Sequence, residues 1–153
     1  MTETERKFRV LDEGFRKEAQ TVKRIVQGYI SRDPERTVRI RILNEEAFLT
    51  IKGASDAAGL SRYEFEHAIS LNEAEELMKL CLPGIIDKER YFVQNEQHTW
   101  EVDVFHAAHE GLVIAEIELS DSSEYFEKPT WVGEEVTGDP RYYNAYLSSS
   151  SNT

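Results

Sequence analysis

Charged residues in this 153-residue chain recur in sets spaced by two. The sets are Glu3/Glu5/Lys7, Arg39/Arg41, Arg62/Glu64/Glu66, Lys88/Arg90, Glu101/Asp103 and Glu116/Glu118, with Lys52 standing singly. In an extended segment this spacing puts both side chains on one face. Any one set could belong to a solvated sheet face, but such faces mix Thr, Ser, Gln and Lys freely. Here basic blocks and acidic blocks segregate by segment, which points to ligands of opposite sign. Guanidinium and ammonium groups give phosphate oxygens charge-assisted hydrogen bonds. Paired carboxylates suit a hard divalent cation, Mg²⁺ or Mn²⁺. Phosphate chains bind such cations, so both kinds of block can serve one ligand.

The elements that must position these side chains follow from period-2 alternation. It predicts eight strands over about 2–10, 24–32, 36–43, 46–52, 61–70, 86–95, 98–106 and 112–120. Asp33-Pro34, Asn44-Glu45, Asn95-Glu96 and the Gly53 to Gly59 segment supply turns, so neighbours join as antiparallel hairpins. Four short helices are expected. One is capped by Asn72 with Glu75, carries the stripe Ala74, Leu77, Met78 and Cys81, and ends at Pro83-Gly84. Others run from Asp12 to Gln20, from Ser122 or Ser123 to Pro129, and from Asp139-Pro140 to Leu147. Residues 1–147 read as one domain and 148–153 as a frayed tail.

The formal charge of -11 argues against a nucleic-acid or anionic-membrane partner, which needs distributed basic patches. An anionic ligand must instead meet locally concentrated Lys and Arg. No apolar run reaches the roughly 20 residues of a membrane span, and no signal peptide is evident. With Cys81 the single cysteine, the expected location is the reducing cytoplasm. His67, His98, His106 and His109 lack zinc-site pairing. Trp100 and Trp131 read as packing residues, Glu73, Glu75 and Glu76 as helix surface, and Glu134-Glu135 as a surface turn.

Closing eight strands into a barrel would gather the charged blocks in one lumen and turn the intervening apolar residues outward, for helices or a second subunit to cover. The outward surface suggests a homodimer. Alternation alone does not fix which parity faces inward.

Glu3-Thr4-Glu5-Arg6-Lys7 resembles the ExExK signature of the CYTH superfamily, the triphosphate tunnel metalloenzymes. The resemblance continues through Gln27-Gly28-Tyr29, Val38-Arg39-Ile40-Arg41, Leu49-Thr50-Ile51-Lys52, Ser61-Arg62-Tyr63-Glu64-Phe65-Glu66 and Lys88-Glu89-Arg90-Tyr91. It extends to Trp100-Glu101-Val102-Asp103-Val104-Phe105, Ala115-Glu116-Ile117-Glu118-Leu119, the 131–137 segment and Tyr143-Asn144, nearly the whole chain.

The resemblance implies a mainly β fold, a closed eight-stranded antiparallel barrel with a few short covering helices. It also implies hydrolysis of a triphosphate with Mg²⁺ or Mn²⁺. By motif, Lys7, Arg39, Arg41, Lys52, Lys88 and Arg90 would hold phosphate oxygens, with Arg62 as a phosphate contact or an orienting salt-bridge partner. Glu3, Glu5, Glu116 and Glu118 would be metal ligands. Glu64 and Glu66 would bind a second metal or orient the attacking water, and Asp103 would join either carboxylate group. Tyr29, if it shares the lumen with Lys7, could accept a proton.

Inorganic tripolyphosphate is the expected substrate, because a short chain has little extra sequence to surround a base or a thiamine ring. Nucleoside or thiamine triphosphatase, class IV adenylyl cyclase and a non-catalytic polyphosphate-binding module are the competing readings.

Overall fold

The computed structural model describes residues 2–142 and Leu147. Nine antiparallel strands form one sheet: β1 (Thr2–Val10), β2 (Thr21–Ser31), β3 (Arg36–Leu43), β4 (Glu46–Gly53), β5 (Ser61–Ile69), β6 (Ile86–Asn95), β7 (His98–Phe105), β8 (Val113–Glu118) and β9 (Val132–Glu135). The order is β5-β4-β3-β2-β6-β7-β8-β1-β9, and β1 also pairs with β5. Eight strands therefore close into a barrel, as the alternation predicted.

The closing seam is short. Among the described residues β1 meets β5 through Thr2↔Tyr63, Glu3↔Arg62 and Thr4↔Ser61. Further along the same edge β9 takes over at Phe8 and Val10. That ninth strand contains Glu135, which was expected in a surface turn. Its carboxylate accepts from Arg6 Nε at 2.8 Å and from Arg6 Nη2 at 2.7 Å, tying β9 to β1.

Two α-helices cover parts of the outer face. α1 (Phe15–Glu18) is shorter than the expected Asp12–Gln20 span and buries Phe15. α2 (Leu71–Met78) is capped by Ser70, not Asn72. Ser70 Oγ accepts from Glu73 N at 3.0 Å while Glu73 Oε1 accepts from Ser70 N at 2.9 Å, so the capping box begins two residues earlier than expected. Ala74 of α2 packs with Ile40 and Ala47, and Leu77, Met78 and Cys81 join the same cluster.

The helix expected between Ser122 and Pro129 does not form. Asp121 Oδ1 instead accepts from both Ser123 N and Ser123 Oγ, and Glu124 Oε1 accepts from Ser120 N and Oγ. Such local side-chain bonds compete with helical ones. The segment brings Phe126 against Phe8 and Trp100. Trp131 packs on Phe15 and Trp100, within a cluster that also buries Phe8, Val102, Ala115 and Ile117. Near the C-terminus a 3-10 turn, Pro140–Tyr142, stands where the last helix was expected to begin. The rest of that helix, apart from Leu147, and the 148–153 tail lie outside the described residues.

Ile51, Tyr63 and Phe65 on the outer face of β4 and β5 remain exposed. None of the described helices is long and apolar enough to cross a membrane.

Candidate active site

The charged parity faces inward. A cavity of about 690 Å³ inside the barrel is lined by Glu3, Glu5, Lys7, Tyr29, Arg39, Arg41, Lys52, Arg62, Glu64, Glu66, Arg90, Glu116 and Glu118. Strand register brings them together: Lys7 lies opposite Glu116, Glu5 opposite Glu118, Lys52 opposite Glu64, and Arg62 opposite Glu3. Exposure grades along the lumen. Lys7, Tyr29 and Thr37 are buried, whereas the Glu66 and Glu101 side chains are 41% and 35% exposed and Glu118 is exposed as well. Glu66, Glu101 and Glu118 are thus among the more exposed groups of the lining.

Most lumen carboxylates are held by ammonium groups. Lys52 Nζ donates to both oxygens of Glu3 at 2.9 Å and stands 3.5 Å from Glu64. Lys7 Nζ donates to Glu116 Oε1 at 2.7 Å and lies 3.8 Å from Glu5. Burial disfavours the Glu3 and Glu116 carboxylates, but Lys52 next to the first and Lys7 next to the second win, and both pKa values fall below the ordinary range. Glu5 shows the opposite balance. Burial, with Glu116 alongside, pushes it up to about 7 against the pull of Lys7. Burial and the charges of Glu3, Glu101 and Glu64 raise Glu118 too.

Two arginines are in the reverse condition. Arg41 makes no ion pair within 4 Å among the described residues and donates only to Gln27 Oε1, at 3.3 Å. Burial, with Arg39 and Arg90 beside it, pulls its pKa down to about 9. Arg39 has Glu66 at 3.8 Å, donates to Thr50 Oγ1 at 3.3 Å, and keeps a buried Nε with no hydrogen-bond partner. Of these neighbouring cations on the β3 wall, Arg41 has no carboxylate within 4 Å among the described residues and Arg39 has Glu66 at 3.8 Å.

Two expected site residues do not reach the lumen. Lys88 is fully buried and Asp103 is 2% exposed, and neither lines the cavity. Both oxygens of Asp103 are occupied by Arg90 and Lys88, which leaves it poorly placed as a metal ligand. Inward-facing apolar residues were not foreseen either. Ile86 and Phe105, on the same faces as Lys88 and Asp103, pack with Ile114 and Leu147.

Arg32, Thr37, Thr50 and Glu101 also line the cavity without having been assigned a role. Glu101 was already marked by its pairing with Asp103, and the same spacing could have found Thr37 and Thr50, two residues from Arg39 and Lys52. Arg32 lies past the strand end, where alternation gives no signal. The four histidines stay out of the lumen.

Among the described residues no three His, Cys, Asp or Glu side chains converge as a ready ligand set for a metal. The donor chemistry nevertheless fits a hard divalent cation. Glu3, Glu5, Glu116 and Glu118 present only carboxylate oxygens, and burial first, then neighbouring carboxylates, shift Glu5 and Glu118 upward.

A closed antiparallel barrel that gathers arginines, lysines and glutamates on one enclosed cavity defines the tunnel class of phosphate-handling metalloenzymes. The CYTH domain model matches residues 1–143, and the chain belongs to that family. It is similar to an inorganic triphosphatase of Acetivibrio thermocellus, 48% identical over 146 residues that cover 95% of this chain and 92% of the relative. A second inorganic triphosphatase, from Nitrosomonas europaea, is 34% identical, with 98% and 99% coverage. The crystal structure of an inorganic triphosphatase superposes with a TM-score of 0.67 at 29% identity, covering 95% of this chain and 96% of that one.

Proposed function

We propose that the chain is a divalent-metal-dependent inorganic triphosphatase that cleaves tripolyphosphate to pyrophosphate and phosphate. One observation carries this reading: Arg41, with no ion pair within 4 Å among the described residues, and Arg39, with Glu66 no nearer than 3.8 Å, share one lumen with Glu3, Glu5, Glu116 and Glu118. Such a pairing suits a polyanion that arrives with its cation. Among the described lining residues Tyr29 is the only aromatic, which gives a nucleobase or thiamine ring little to stack on.

Glu3, Glu5, Glu116 and Glu118 would hold the cation, Mg²⁺ or Mn²⁺, which when bound neutralises phosphate charge and acidifies water. Arg39, Arg41, Arg90, Lys7 and Lys52 hold phosphate oxygens and fix the chain along the lumen. Glu64 and Glu66, next to Lys52 and Arg39, orient the water for in-line attack. Tyr29 lines the same cavity, opposite Arg39 on β3.

The test is phosphate release from tripolyphosphate, ATP and thiamine triphosphate, each with Mg²⁺ and Mn²⁺. Tripolyphosphate is expected to be hydrolysed fastest, with Glu116→Ala inactive. Normal metal-dependent turnover by Glu116→Ala would refute the assignment. Tight tripolyphosphate binding without turnover would make the protein a binding module instead.

We also propose a homodimer through the outer face of β4 and β5. Ile51, Tyr63 and Phe65 form an exposed surface without charge, and two copies of net charge -11 meet there with least repulsion. Sedimentation of wild type as a dimer and of Phe65→Asp as a monomer is expected. A monomeric wild type would exclude this arrangement.

A further inference from the structure

Arg90 is aimed by two side chains that never reach the cavity. Its Nε donates to Asp103 Oδ1 at 2.7 Å and its Nη2 to Asp103 Oδ2 at 2.9 Å, so two of its three nitrogens are committed to one buried carboxylate. The third, Nη1, faces Glu101 at 3.2 Å. Asp103 Oδ2 also accepts from Lys88 Nζ at 2.6 Å, and that ammonium lies 5.2 Å from the Phe105 ring centre. Of the three charged groups only Arg90 lines the cavity.

This geometry divides the labour. An arginine side chain has four rotatable bonds, and a phosphate contact made by a free one must first stop those rotations. A bidentate carboxylate fixes the guanidinium plane beforehand. The carboxylate that does so sits near apolar Phe105 and Ile114 and needs further donors to remain charged there. Lys88 is one such donor.

Resting on the reading that Arg90 holds a phosphate oxygen, we propose that Asp103 and Lys88 are positioning residues, which lock the Arg90 guanidinium with its Nη1 edge towards the phosphate chain. Neither touches substrate or metal.

The experiment is steady-state kinetics of Asp103→Asn with tripolyphosphate, alone and combined with Arg90→Ala, alongside the Mn²⁺ activation curve and the melting temperature. Asp103→Asn should raise KM by on the order of 10- to 100-fold, as expected when a substrate-holding group is misplaced. Its Mn²⁺ activation midpoint should stay at the wild-type value. In the Arg90→Ala background it should add no further rise in KM.

A displaced Mn²⁺ midpoint would make Asp103 a metal ligand and overturn the inference. An undiminished effect in the Arg90→Ala background would do the same. Should Asp103→Asn fail to fold, Lys88→Met decides the question. It should raise KM in the wild-type background only, whereas an equal rise in both backgrounds would show that Lys88 meets phosphate directly. A normal KM in Arg90→Ala alone would remove the underlying phosphate-binding role, a failure distinct from that of the positioning pair.

Discussion

Lys52 Nζ stands 2.9 Å from both carboxylate oxygens of Glu3. A divalent cation taking Glu3 as a ligand must displace that ammonium, which is then free to turn to a phosphate oxygen. Lys52 thus competes with the metal and cooperates with the substrate. Lys52→Met should bind Mn²⁺ more tightly than wild type without phosphate, by about 5-fold or more, and bind tripolyphosphate more weakly. Calorimetric titration with Mn²⁺ reads the first effect. An unchanged or weakened Mn²⁺ affinity would contradict the exchange.

The Arg39–Arg41 pair predicts a conflict between stability and function. Arg41 is pulled to about 9 by burial and by Arg39 and Arg90, so its charge is costly in the free protein. Arg41→Met should raise the melting temperature by about 2–4 °C, the shift roughly 1 kcal/mol produces in a chain of this size. The same change should lower kcat/KM for tripolyphosphate by on the order of 100-fold or more. A variant that loses both stability and activity would show Arg41 to be structural.

Glu5 gives a pH signature. Its folded pKa of about 7 lies above the ordinary value of 4.5. The folded state therefore binds the extra proton between those values, and the stability Glu5 contributes is full below about 4.5 and lost as pH rises through 7. Glu5→Gln cannot titrate. In EDTA, the melting temperature of wild type minus that of Glu5→Gln should fall steadily from pH 5 to pH 8. A difference that stays flat or grows over that range would place the Glu5 pKa elsewhere.

Ser70 tests the outer shell. Ser70→Ala removes the cap of α2, which covers Ile40 and Ala47, and should cost about 0.5–2 kcal/mol in urea unfolding with kcat and KM unaltered. Loss of activity in a variant that remains folded would tie α2 to the lumen.

The barrel and most of its lining were legible because a strand's period of two is strict, and most inward charges repeat it. Glu3, Glu5 and Lys7, or Arg39 and Arg41, declare a shared face by spacing alone. What spacing does not carry is depth. Lys88 and Arg90 look equivalent in sequence, yet one is sealed behind the other, because depth depends on strand stagger and on what fills the barrel end. β9 escaped notice because four residues are too few to show alternation. The Ser122–Pro129 helix failed because Asp121 and Glu124 commit their carboxylates to nearby serine groups, a choice that helix-start rules do not foresee. Ser70 and Asn72 each precede a glutamate by three residues, so the local pattern alone could not choose between two caps.

The graded exposure of the lumen has a kinetic corollary. Glu35, Glu66, Glu101 and Glu118 are the more exposed carboxylates of the lining, whereas Arg39 is buried, so a bare polyphosphate approaching them meets repulsion. A chelate that has already shed most of its negative charge meets far less. The doorway therefore selects the traveller by its escort, and free divalent ion in the surroundings governs how often a productive encounter begins.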